Sequence, residues 1–164
     1  MNLISDLEEN LNEIYIHYGS KQYDPQKFMP IKNQILQIKP EGGLWASPIG
    51  CDFGWKEWCE RNEFRDCTDE NSFRFKLSDN ANLLIINSVD DLNGLPVVEN
   101  PLIKISMWIC LDFEKLVEDG VDAIQVNMSS DSSRGKPGDG LYFKLYGWDC
   151  DSILVLNKNI IEPL

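Results

Sequence analysis

The chain has 164 residues, with 27 acidic against 15 basic side chains and a formal net charge of −12. That length fits a single domain, residues 1–164, able to bury a core without staples. The surplus of acid disfavours a phosphate backbone or an anionic lipid surface as partner, and the longest apolar run, Leu83 to Ile86, is far too short to span a bilayer.

The first residues, Met1 to Asn10, carry acids and no apolar stretch, so they do not read as a signal peptide. Leu3, Ile4, Leu7 and Leu11 instead recur at helical spacing and predict an N-terminal helix. From Glu13 to His17, Ile14 and Ile16 alternate with Tyr15 and His17, the pattern of a strand. Gly19 to Pro40 holds three prolines and little periodicity, and predicts a long connection of the kind that often carries function. Leu44 to Ser47 follows a Gly-Gly turn and predicts a short strand ended by Pro48.

Trp55 to Asn62 sets Trp55, Trp58 and Cys59 on one helical face. Phe73, Phe75 and Leu77 alternate with Arg74 and Lys76 as in a half-buried strand, and Leu83 to Asn87 is a second apolar run. Ser88 is placed to cap a short helix, Val89 to Asn93, and Asp112 another, Phe113 to Asp119, with Gly120 at its end. Leu95 to Pro101 predicts a loop, and Leu102 to Ile109 either a strand or an extended connection. Asp122 to Asn127 predicts a strand, and Ser129 to Gly140 a polar Gly/Ser loop. Leu141 to Tyr146 and Ser152 to Leu156 predict a final strand pair across a tight turn. Strands outnumber helices without a regular βαβ alternation, so the expected class is α+β with curved sheets.

Five cysteines, at 51, 59, 67, 110 and 150, form no C-x-x-C pair, and His17 is the only histidine. That set fits no zinc spacing and reads as reduced thiols in a cytoplasmic protein, with no metal expected. The common hydrolase, P-loop, dinucleotide-fold and zinc-protease motifs are absent.

Three places could carry chemistry. His17 ends a strand where the chain leaves at Gly19, so its imidazole could meet a ligand or satisfy a loop carbonyl. Trp45 and Ser47 emerge on one face of a strand, beside a ligand or in the core. Asp149 and Asp151 flank Cys150 after Trp148 in one turn, where a carboxylate could face a developing cation or simply meet solvent.

The segments IHYGS, GGLWASP, GWKEWC and YGWDCDSILVLN together resemble an uncharacterised group of small phage and bacterial proteins. That group in turn is similar to the compact mono-ADP-ribosyltransferase fold. The resemblance covers about Tyr15 to Ile161. It implies two curved, roughly perpendicular β-sheets with short flanking helices and NAD⁺ held between them. It also implies an NAD-dependent mono-ADP-ribosyltransferase acting on a protein acceptor, or an NAD glycohydrolase.

On that resemblance His17, Tyr18 and Gly19 with Trp45, Ser47 and Ser152 would bind NAD⁺. His17 would hold a ribose, and Asp149, with Asp151 second, would stabilise the transition state. The superfamily sets a Glu directly before its last apolar strand, where this chain has Ser152. The diphosphate would need donors, and Lys21, Lys39 and Lys144 are the bases near these motifs. The charge of −12 supports a different expectation, a non-enzymatic acidic inhibitor or binding protein.

Overall fold

A computed structural model describes residues 14–34, 37–99, 108–131 and 140–164. The expected N-terminal helix and most of the 102–109 and 129–140 segments lie outside the described residues. The rest is a mixed α+β arrangement around one seven-stranded sheet, ordered β4-β5-β6-β2-β1-β3-β7. The strands are β1 (Ile14–Tyr18), β2 (Leu44–Pro48), β3 (Ser72–Leu77), β4 (Leu83–Ile86), β5 (Ala123–Val126), β6 (Ser152–Val155) and β7 (Ile161–Pro163). The α-helices among the described residues are α1 (Trp55–Arg61), α2 (Phe113–Glu118) and α3 (Leu141–Lys144).

All neighbouring strands run antiparallel except β4 and β5, which pair in parallel from Leu83↔Ala123 to Ile86↔Val126. A parallel pair needs a crossover, and here that path includes α2. The Asp112 side chain accepts from Lys115 N–H and starts α2 as its cap.

The middle of the sheet is covered on both faces. Ile124, Val126 and Leu154 join a core with Phe113, Leu116, Leu141 and Trp148. Ala123, Ile153 and Val155 turn to the other side, against Tyr15, Phe75 and Ile161. Every residue of β6 is therefore buried, which is why Ile153-Leu154-Val155 reads as a continuous apolar run rather than an alternation.

The expected strand at Leu141 to Tyr146 is a helical turn instead. Leu141 and Leu145, four residues apart, are both fully buried, while Tyr142, Phe143 and Tyr146 stay exposed. A strand would have sent Leu141 and Phe143 to the same side. The buried Asp131 carboxylate accepts from Leu141 N–H at 2.7 Å and fixes the start of the helix. The final strand pair is therefore not formed by these segments: β6 lies between β2 and β5, and a β7 strand unforeseen in the sequence closes the far edge beside β3. The expected helix at Val89 is a 3-10 turn, Val89–Leu92, in which Asp91 accepts from the Asn87 and Ser88 N–H groups.

Candidate functional site

The site begins where two central strands part. β1 and β2 pair only at Tyr15↔Pro48 and Ile16↔Ser47, whereas β1 pairs with β3 along its whole length. Beyond Ile16 a side chain takes over from the ladder: His17 Nδ1 lies 2.7 Å from the Trp45 carbonyl oxygen. A carbonyl only accepts, so Nδ1 carries the proton and Nε2 keeps its lone pair. Burial pushes the His17 pKa down, and the bond to Trp45 offsets this only in part. The imidazole is thus neutral at pH 7, with Phe73 tilted against it at 5.0 Å.

The parting opens a cavity of about 290 Å³. One wall is Ile16, His17 and Tyr18 of β1, and another is Trp45, Ala46 and Ser47 of β2. Trp148, Asp149 and Cys150 of the following turn, and Ser152 at the start of β6, close the end. Lys39, Trp55 and Arg65 complete the lining. A second chamber of about 250 Å³ shares Ile16, Tyr18, Ser47 and Trp55 with the first and continues past Gly54, Lys56, Glu57 and Arg74.

Helix α1 is locked to β2 at this wall. The Ser47 hydroxyl accepts from Trp55 N–H at 2.9 Å, and Glu57 accepts from Gly54 N–H at 2.9 Å. Both satisfy donors that a helix start leaves without partners. A Cβ on Gly54 would come within 3.1 Å of Ser47 Cβ, so glycine permits this close approach. Trp55 stacks on Trp58 with centroids 5.0 Å apart, and Arg65 lies over Trp55.

The cavity is more cationic than the chain as a whole. Lys39 Nζ sits 5.0 Å above the Trp45 ring, and a Cβ added to Gly147 would come into ordinary contact with the Lys39 stem. Burial lowers the Lys39 pKa, with Asp149 acting in the opposite direction. Lys21 and Lys144 do not line this cavity. Cys150 is no thiolate: burial foremost pushes its pKa up to about 12, against the pull of Lys39.

The two acids of the turn part company. Asp149 lines the cavity. Asp151 does not; it is 2% exposed and accepts from Phe53 N–H, Ser129 N–H and the Ser129 hydroxyl. The structure therefore corrects the expectation of Asp151 as an acid of the cleft. Its carboxylate pins two loops together on the side of a different cavity. Gly19 also lies outside the cleft lining; its N–H donates to Asn71, at φ +122°. Ser152 lines the cleft, but its hydroxyl donates to the Cys150 carbonyl at 3.2 Å.

His17, Tyr18, Trp45, Ser47, Ser152 and Asp149 thus meet around one cavity. Sequence reasoning did not assign Trp55 and Arg65 to the site. The WKEW spacing gave α1 its apolar face, yet nothing in that spacing says that the face borders a cleft.

Among the described residues no group of His, Cys, Asp and Glu could hold a metal ion, and no helix is long and apolar enough to cross a membrane. The five thiols are unpaired. No known protein family, curated protein or solved structure matches the chain.

Proposed function

We propose that the chain is an NAD⁺-dependent mono-ADP-ribosyltransferase that modifies a protein. The observation that carries the reading is the single cavity at the β1/β2 parting. It is lined by His17, Tyr18, Trp45, Ser47 and Asp149, which come from three distant stretches of sequence. In this reading the strands on either side of that junction correspond to the two roughly perpendicular sheets of the transferase fold. NAD⁺ is the substrate, spread over the two adjoining chambers.

Each lining group has a task that its chemistry suits. The free lone pair on His17 Nε2 accepts from a ribose hydroxyl and fixes the sugar. Lys39 already occupies the face of Trp45, so the cationic nicotinamide ring takes another aromatic face. Tyr18 offers one, since its ring stacks on no other ring among the described residues. Lys39 and Arg65 supply the positive charge that a diphosphate needs within an acidic chain.

The bond from the ribose C1′ to nicotinamide breaks, and its electron pair leaves with neutral nicotinamide. Positive charge grows on the sugar, and the Asp149 carboxylate stabilises it. The acceptor's nucleophile then bonds to C1′ and gives up its proton to water.

Labelled NAD⁺ incubated with a bacterial lysate tests the reading. Transfer of label to protein, lost in Asp149→Asn, supports it. Release of nicotinamide without transfer would make the protein a glycohydrolase. Absence of any NAD⁺ binding in a thermal-shift titration would remove the reading and leave the acidic binding protein.

A further inference from the structure

A separate cavity of about 510 Å³ has Asp151, rather than Asp149, in its wall. Three side-chain amides line it as one linked row. The Tyr15 hydroxyl donates to Gln125 Oε1 at 2.8 Å, and Gln125 Nε2 donates to Asn127 Oδ1 at 3.0 Å. Asn127 Nδ2 in turn donates to Asn87 Oδ1 at 2.7 Å. A side-chain amide has two N–H donors and an oxygen with two lone pairs. Among the described residues these bonds use at most one donor and one lone pair of each amide. Each amide is thus held in place by its neighbours and keeps both an N–H and a lone pair for a ligand.

The rest of the wall narrows the choice of ligand. It contains no Lys, Arg or His, so a phosphate or carboxylate would meet no positive charge. Leu83 and Ile85 supply apolar surface, and Ile85 is 46% exposed. The Asp151 carboxylate is already taken by its three donors. Asp52 is exposed and has no hydrogen bond or salt bridge among the described residues. The one aromatic ring in the wall, Tyr15, is 3% exposed and stacked on Phe75, so no ring face is open to a sugar.

We propose that this groove binds an extended peptide segment that carries a Lys or Arg. An extended main chain brings both a donor and an acceptor at each residue, as the amide row does. Asp52 meets the cation, and Ile85 meets an apolar neighbour of it. The groove stands without the NAD⁺ reading. Resting on that reading, the segment belongs to the protein acceptor, and the Asp149–Asp151 turn lies between its dock and the cleft.

Fluorescence polarisation of labelled nonapeptides with the intact protein, in the absence of NAD⁺, tests the groove. The peptides vary in sequence around a central Arg, Lys, Ala or Glu. Arg and Lys peptides are expected to bind about threefold more tightly than Ala peptides, the size of one exposed ion pair, and Glu peptides most weakly. Methylating the central backbone nitrogens of the tightest peptide removes main-chain donors and is expected to weaken it about fivefold. Asp52→Asn is expected to bind Ala peptides as the wild type does and to lose the preference for a base. Asn127→Leu is expected to bind every peptide about fivefold more weakly.

Absence of peptide binding, or equal binding of the methylated peptide, overturns the proposal. A preference for Lys and Arg that survives in Asp52→Asn overturns it too. If Asn127→Leu does not fold, the methylated peptide on the wild type decides. Binding of mono- or disaccharides in place of peptides overturns it in favour of a sugar site. Peptide binding by a protein that binds no NAD⁺ supports the groove and removes its role as the acceptor's dock. NAD⁺ binding without peptide binding overturns the groove alone.

Discussion

His17 Nδ1 donates to the backbone carbonyl of Trp45 at the point where β1 and β2 cease to pair. One side chain thus occupies the place of a ladder bond and holds the mouth of the cleft at a fixed width. Because burial lowers the His17 pKa, the unfolded chain takes up a proton at higher pH than the folded one does. The associated stability is fully present above about pH 6.5, the ordinary value, and is lost as the pH falls through the lower folded value. Melting temperatures between pH 7.5 and 5 are expected to fall with pH in the wild type. In His17→Gln, whose amide can still donate to Trp45, the slope in this window is expected to be shallower.

On the proposed reading, Asp149 and Asp151 separate catalysis from stability. Asp151→Asn removes the charge that accepts three hydrogen bonds in a buried place. A loss of about 3 kcal/mol is expected, seen as a fall of roughly 6–12 °C in melting temperature for a chain of this size. Asp149→Asn, at a half-buried position beside Lys39, is expected to lower the melting temperature less than Asp151→Asn while abolishing label transfer, because none of the three hydrogen bonds of Asp151 is lost. Equal destabilisation by both changes would contradict the assignment.

Lys39 carries a desolvation cost. Its ammonium is desolvated over Trp45, without a salt bridge among the described residues. Lys39→Met keeps the length and apolar character of the stem. The variant is expected to melt no lower than wild type and to bind NAD⁺ at least about tenfold more weakly, as for the loss of a charged hydrogen bond. A parallel loss of stability and binding would mean that Lys39 serves the fold.

The helical turn α3 makes a prediction that a strand would not. Leu145→Ala empties a fully buried site and is expected to cost about 3 kcal/mol in denaturant unfolding. Phe143→Ser, at a position 42% exposed, is expected to cost less than about 1 kcal/mol. In a strand, Phe143 would share the buried side with Leu141 and Leu145, and both changes would be severe.

The same segment marks a limit of what the sequence tells. Leu-Tyr-Phe-Lys-Leu-Tyr satisfies a period of two and a spacing of four equally well, and only the packing of Leu141 and Leu145 against Trp148 decides between them. Where the pattern is unambiguous, as in Phe73, Phe75 and Leu77, strand β3 follows it, with Phe75 at its buried centre. The carboxylates of the turn carry no periodicity, so their opposite orientations were not legible. Lys39 stands in a proline-rich connection whose path depends on distant anchors. Buried Ile38 and the bridge between Lys32 and Glu41 are what bring it over Trp45. Residues of the cleft were recognisable where they lie on strands, and hidden where they depend on the tertiary course of a loop or on which way a helix leans.

The short β1–β2 junction has a topological corollary. On one side stand β1, β3 and β7, and on the other β2, β6, β5 and β4. The chain passes between them from β1 to β2, back to β3, across again to β4, and finally from β6 to β7. The sheet is stitched rather than hinged: its seam is thin, yet no single cut of the polypeptide yields either side intact. Deletion mapping would therefore destroy the protein before it located the cleft, and the dissection has to be made one side chain at a time.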